Sequence, residues 1–244
     1  MALTSFPDGM RAAVWGASGG IGRAFVDHLA ADESVGEVIA VSRQPVDAGP
    51  KVRALTYDNS DERSIAEAAS AAAEAGPLSL IIVATGTLHG GGYQPEKALR
   101  QLEPGAFAEV MRINALLPAL IAKASLPHLP PGRGVFAALS ARVGSISDNR
   151  LGGWHSYRAS KAALNMLLRN IAIETARRNK GALIVGLHPG TVDTALSEPF
   201  QGNVAEGKLF PPRHSAAAML EVIDGLTPEN SGHCFDYAGK LVPS

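Results

Sequence analysis

Short apolar runs recur along the whole chain, separated by longer stretches that mix apolar and polar positions. The runs are Arg11 to Trp15, Val35 to Val41, Val52 to Tyr57, Leu78 to Ala84, Gly134 to Leu139, Ala182 to Leu187 and Cys234 to Tyr237. Each has the length of a strand, and the intervening stretches are long enough for helices. This alternation predicts an α/β fold, a parallel sheet with helices on both faces. Leu80-Ile81-Ile82-Val83-Ala84 is apolar without a break, as a strand covered on both sides should be. Asp61 to Ala75 predicts a helix with Ser60 as its N-cap and a Gly76-Pro77 stop. No linker, repeat or low-complexity block divides the chain, so 1–244 reads as one domain. The segment 196–212 carries Gly and Pro without clear periodicity and predicts a loop or small lid over a site.

Composition narrows the classes. A chain of 244 residues, 46% apolar and 18% charged, can bury a sizeable core without a disulfide or a metal. Its net charge of -1 and lack of any Lys/Arg run argue against nucleic acid and anionic membrane as partners. Met1 to Met10 lacks the pattern of a secretory leader, and no apolar run approaches the roughly 18 residues of a membrane helix, so a cytoplasmic protein is expected. The single cysteine, Cys234, lies between His233 and Phe235 and is expected to be a buried core thiol rather than a nucleophile. The seven histidines show no metal-ligand spacing. His89 and His155 are expected as polar wall residues of a pocket, and Trp154 as either a substrate platform or a core residue.

Three features carry candidate chemistry. Tyr157 and Lys161 stand four residues apart, hence on one helix face. A phenol titrates near pH ~10, and a neighbouring cation favours its anion, so this pair suits proton exchange with a substrate oxygen. Gly16-Ala17-Ser18-Gly19-Gly20-Ile21-Gly22 follows the first strand and opens a helix through Phe25, Val26 and Leu29. Such a turn lets backbone N–H groups approach a pyrophosphate, although the spacing satisfies both G-x-x-x-G-x-G and G-x-x-G-x-x-G. At the end of the second strand, Ser42 and Arg43 stand where an acid would select NAD, and the arginine instead favours the 2′-phosphate of NADP(H). Asn114 adds a fourth. Pro118, four residues on, has no N–H to offer its carbonyl, which is then open to a water.

The glycine loop, Asn114 and Tyr157-x-x-x-Lys161, in this order, resemble a single-domain member of the short-chain dehydrogenase/reductase superfamily over essentially the whole chain. Thr85-Gly86-Thr87-Leu88-His89, Gln94-Pro95-Glu96-Lys97, Gly144-Ser145-Ile146-Ser147-Asp148-Asn149 and Phe235-Asp236-Tyr237-Ala238-Gly239-Lys240 are similar to the C-factor and Sniffer-type carbonyl reductase branch. The resemblance implies a doubly wound Rossmann-type, mostly parallel sheet of seven strands. It also implies NADP(H) as cofactor, bound by Gly16, Ser18, Gly20, Ile21, Gly22, Ser42, Arg43, Tyr157 and Lys161. Asp58 falls where the family touches adenine, and Val83-Ala84-Thr85-Gly86 resembles its N-N-A-G segment with both asparagines replaced, which would put Ala84, Thr85 and Gly86 against the cofactor. Pro189, Gly190, Val192 and Thr194 match the turn that holds the nicotinamide end. Tyr157 would protonate a carbonyl, Lys161 would lower its pKa and orient the ribose, and Asn114 would hold a relay water. The substrate-orienting serine is displaced: counting back from Gly144 reaches Ala141, with Ser140 one position early and Ser145 beyond. Ser140 is the expectation because it ends the fifth strand. The implied activity is reduction of a small ketone, aldehyde or quinone. A non-enzymatic NADP(H)-binding signalling role is the alternative, and an epimerase ranks last, because few residues follow Thr194. Helices containing Leu116 to Ala124 and Ala162 to Ile173 could pair subunits in a homo-oligomer.

Overall fold

A computed structural model describes residues 3–244. Seven parallel strands form the main sheet: β1 (Met10–Trp15), β2 (Val35–Ser42), β3 (Val52–Thr56), β4 (Leu80–Val83), β5 (Gly134–Leu139), β6 (Ala182–His188) and β9 (Cys234–Asp236), in spatial order β3-β2-β1-β4-β5-β6-β9. All six neighbouring pairs are parallel. Between β6 and β9 in the chain lie β7 (Thr191–Val192) and β8 (Leu209–Phe210), which pair with each other. The expected strands are all present, each within two residues of its predicted ends.

Six helices cover the sheet: α1 (Gly20–Ala31), α2 (Glu62–Ala72), α3 (Pro104–Met111), α4 (Leu117–Ser125), α5 (His155–Ala176) and α6 (Pro212–Gly225). Alternating strand residues feed two cores. Val14, Ile82, Ala137 and Val185 pack with Phe25, Leu29 and Met219 on the α1/α6 side. Trp15, Ile81, Phe136 and Ile184 pack with Ile65, Ile121 and Leu164 on the α2/α4/α5 side. Each such large side chain, fully buried, contributes roughly 1.5–3 kcal/mol. Cys234 is buried in this framework, and burial pushes its thiol up to about 12.

The second helix starts one residue later than its sequence suggests. Asp61 is the N-cap, its carboxylate accepting from the Arg63 N–H, while Ser60 donates through N–H and hydroxyl to Asp58. The stronger acceptor, a carboxylate, wins the cap and Ser60 closes the preceding turn. The helical run Pro104–His128 is long and apolar enough to cross a membrane by composition, with mean hydropathy 1.4, contrary to the expectation. Here it carries Val110, Ala115, Leu117, Ile121 and Ala122 into the core at 3% exposure or less.

Strand order reverses between β1 and β4, and the crevice at their C-terminal ends is where such sheets receive ligands. A cavity of about 1020 Å³ opens there.

Candidate active site

The glycine loop forms one wall of this cavity. Gly16 adopts φ +86°, and a Cβ on it would lie 2.9 Å from the Ala84 carbonyl carbon. A Cβ on Gly22 would fall 2.1 Å from the Gly16 oxygen, so α1 can approach the loop only with glycine there. At Gly20, the first residue of α1, a Cβ would lie 2.8 Å from Thr194 Cγ2. Gly20 thereby joins the glycine loop to the turn after β7.

Of the expected cofactor residues, Gly16, Ser18, Arg43, Ala84, Thr85 and Gly86 line the cavity. Gly20, Ile21 and Gly22 form the first turn of α1 at its rim. Ser42 is buried, and its hydroxyl donates to the Gln44 carbonyl, so Arg43 alone of that pair reaches the cavity. Asp58 is tied to Ser60, whose hydrogen bonds hold its carboxyl below the usual range, and Tyr57 and Asn59 beside it line the wall instead. Pro189 and Gly190 follow β6. Gly190, at φ +78°, packs its α-carbon against the Phe210 ring, and the Pro189 carbonyl accepts from the Ser215 hydroxyl. Val192 is buried in β7, and Thr194 begins the turn into the segment expected as a lid. That segment contains a short 3-10 turn, Glu198–Asn203, and β8.

Lys161 and Asn114 meet behind Gly86, with the Tyr157 ring beside the lysine, and none of the three lines the cavity itself. A Cβ at Gly86 would lie 3.5 Å from Asn114 Oδ1 and 3.8 Å from Lys161 Nζ. The Lys161 ammonium sits 5.7 Å from the centre of the Tyr157 ring and donates to the Leu139 carbonyl at 2.8 Å. A Cβ at Gly144 would be 2.7 Å from Lys161 Cβ, so the turn after β5 packs directly on α5 at this lysine. Burial pushes the Tyr157 phenol up to about 12 and brings Lys161 down to about 8. Desolvation sets the direction of both shifts, where the sequence led to an expectation that the Lys161 charge would lower the Tyr157 pKa. Tyr157 keeps its proton at neutral pH.

Asn114 lies in a π turn, Arg112–Leu116, between α3 and α4, where the Leu117 N–H reaches back to the Arg112 carbonyl. Pro118 cannot donate to the Asn114 carbonyl, and the chain absorbs the defect as a widened turn. The Asn114 side chain accepts from the Thr87 N–H and donates to the Thr87 carbonyl, both at 2.8 Å, and donates to Ser160 Oγ at 3.0 Å. Ser160 in turn donates to the Tyr157 carbonyl. The loop after β4, the π turn and α5 are thus one hydrogen-bonded unit.

The serine expectation meets a different geometry. Ser140 Oγ donates to Asn165 Oδ1 at 2.6 Å, is buried, and lines no part of the large cavity. Leu139 faces the α1/α6 core, so its neighbour Ser140 turns to the α5 side, where Asn165 waits. Ser145 accepts from the Asp148 N–H and is equally buried. Neither hydroxyl is offered to a carbonyl in this conformation. His89 lines the cavity as expected; His155 opens α5.

Sequence reasoning missed Glu96. Its buried carboxylate accepts from the Ser156 N–H and hydroxyl at the start of α5, and these bonds hold its carboxyl below the usual range although burial works the other way. It lies in Gln94-Pro95-Glu96-Lys97, a stretch that carried the resemblance, but nothing local to it points to a partner in α5.

The arrangement can hold an extended ligand along the glycine loop, between Arg43 and Thr85. The Thr85 hydroxyl is buried there without a partner, a donor that a ribose hydroxyl would satisfy. The glycine cradle, the cationic end at Arg43 and this orphan hydroxyl fit a dinucleotide. Comparison with known proteins agrees with the topology. The C-signal protein of Myxococcus xanthus is 42% identical over 148 residues, 60% of this chain and 83% of that protein. The NADPH-bound carbonyl reductase from chicken fatty liver is similar with a TM-score of 0.84 and 27% identity, covering 98% of this chain and 96% of that one. The carbonyl reductase Sniffer of D. melanogaster shares the fold, with a TM-score of 0.82 at 19% identity over 97% of this chain and 100% of its own. Residues 11–204 match the short chain dehydrogenase family, and the chain belongs to it.

Proposed function

We propose that this protein is an NADPH-dependent reductase that converts a ketone, aldehyde or quinone to the alcohol, with Tyr157 as general acid. The observation that carries this reading is the meeting of Lys161 and Asn114 at Gly86, a residue of the glycine-lined cavity wall, with the Tyr157 ring beside Lys161. Reduced nicotinamide supplies a hydride to a carbonyl carbon when bound. Tyr157 transfers its proton to the carbonyl oxygen, so the new C–H and O–H bonds complete the alcohol and leave a phenolate. Its pKa near 12 keeps the proton in place until charge develops on that oxygen. Lys161, fixed by Leu139, stabilises the phenolate as it forms and helps to orient the cofactor ribose. The carbonyl of Asn114, lacking a donor from Pro118, suits a water that returns a proton through Lys161. With Ser140 bonded to Asn165, Tyr157 alone is assigned the hydrogen bond to the substrate.

Gly16, Ser18, Thr85 and the first turn of α1 would hold the dinucleotide, and Arg43 would pair with its 2′-phosphate. The carbonyl reductase from chicken fatty liver, solved with NADPH, supports this choice. Exposed Leu116, Met166 and Ile173 on the helical elements expected to pair subunits support a homo-oligomer. Similarity to C-signal keeps a signalling role as the second reading. NADPH consumption against a panel of quinones, aldehydes and ketones tests the proposal: turnover of one class supports it, and NADPH binding without turnover of any favours the signalling role.

A further inference from the structure

Among the described residues Trp154 is the one non-glycine with positive φ, at 50°. A bulky side chain in that region strains the backbone. The two residues before it, Gly152 and Gly153, are glycines with φ of 63° and 64°, so a third glycine would complete the turn without strain. Nor is the indole deep in the core, since Trp154 is only partly buried. The surroundings enforce its conformation. Its N–H donates to the Glu96 carbonyl at 2.5 Å, while the Glu96 carboxylate grips Ser156 two residues on.

The held indole stands in a row of aromatic rings. It lies edge-to-face with Tyr157, ring centres 6.1 Å apart, and with Phe200 on the 3-10 turn at 5.2 Å. Phe200 meets His89 at 5.7 Å, and His89 Nε2 lies 3.2 Å from the Ala195 carbonyl. His89, Ala195 and Glu96 line the large cavity. The row therefore runs from the proton donor to the segment that borders the cavity, with Gly190 before that segment and Gly207 within it both in left-handed conformation.

We infer that Trp154 is the specificity-determining residue, which packs a planar, conjugated carbonyl compound beside Tyr157 while Phe200 closes over it. This deepens the reductase reading and rests on Tyr157 as its reacting centre. A flat ring gains from aromatic packing what a saturated ring of equal size does not. Strain at Trp154 is retained because an indole at this point serves binding.

Acetophenone and cyclohexyl methyl ketone, alike in size, provide the test with wild type, Trp154→Gly and Trp154→Phe. Both kcat/KM and calorimetric binding to the NADPH-saturated protein are measured. Comparing ratios between variant and wild type cancels the intrinsic reactivity of the two ketones. Trp154→Gly should cut the preference for acetophenone about 2- to 12-fold, and Trp154→Phe should keep most of it. Relief of strain should raise the Tm of Trp154→Gly by about 2–4 °C. An unchanged ratio, or a lowered Tm with equal loss for both ketones, overturns the inference and leaves the reductase reading standing. If wild type turns over neither ketone, binding decides: aromatic-selective binding lost in Trp154→Gly upholds the inference and binding without selectivity overturns it, while the reductase reading is judged on the quinones and aldehydes of the panel.

Discussion

Asn114 and Thr87 grip one another through two reciprocal hydrogen bonds of 2.8 Å, side-chain amide to backbone amide. This pair ties the π turn to the loop that carries Gly86, and through Ser160 to the helix that carries Tyr157. Asn114→Ala leaves both Thr87 groups unpaired, each at about 1–3 kcal/mol. Urea unfolding should show a loss of about 2–4 kcal/mol, with turnover reduced as well. Unchanged stability would mean that the loop holds its shape without Asn114.

His188 gives a pH test. Its partly buried imidazole has an unpartnered Nδ1, and burial brings its pKa down to about 4. The unfolded chain, titrating near 6.5, binds the proton first as pH falls, so stability is full above about 6.5 and declines towards about 4, by up to about 3 kcal/mol. His188→Asn should flatten the difference in unfolding free energy between pH 7.5 and 4.5. An identical pH dependence in the variant would remove His188 from the account.

Arg43 is exposed at the cavity wall, free to meet a phosphate. Loss of a charge-assisted contact worth roughly 1.5–3 kcal/mol predicts a 10- to 150-fold weaker NADPH dissociation constant in Arg43→Ala. NADH affinity should barely move. Equal loss for both cofactors would assign Arg43 to the fold.

Ser140 offers a test of the serine assignment. Because Ser140 is committed to Asn165, Ser140→Ala should change kcat/KM less than about 10-fold, well short of the 10²–10³ that loss of one oxyanion donor costs. A fall of two orders would show that the hydroxyl swings to the substrate during turnover.

The strands were legible because a doubly covered sheet demands unbroken apolar runs, as Leu80 to Val83 display. The glycine loop was legible because Gly16 and Gly22 answer to local backbone geometry. The Tyr157 environment was not: spacing placed Lys161 nearby, but whether charge or desolvation governs a phenol depends on tertiary packing, which no helix periodicity reports. Ser140 misled for a related reason. Its side of β5 follows from sheet register, and its partner Asn165 lies 25 residues on, in α5. The left-handed backbone of Trp154, after Gly152 and Gly153, is seen only in the structure.

The central claim is that the Tyr157 hydroxyl delivers the proton. Tyr157→Phe removes that oxygen and little else, so NADPH should bind the variant with nearly the wild-type dissociation constant. NADPH-dependent carbonyl reduction, followed as loss of NADPH absorbance, should fall by three orders of magnitude or more if the general-acid and electrostatic contributions of this group combine, on the order of 10³–10⁵. Turnover within a few-fold of wild type, with cofactor binding intact, would contradict the account.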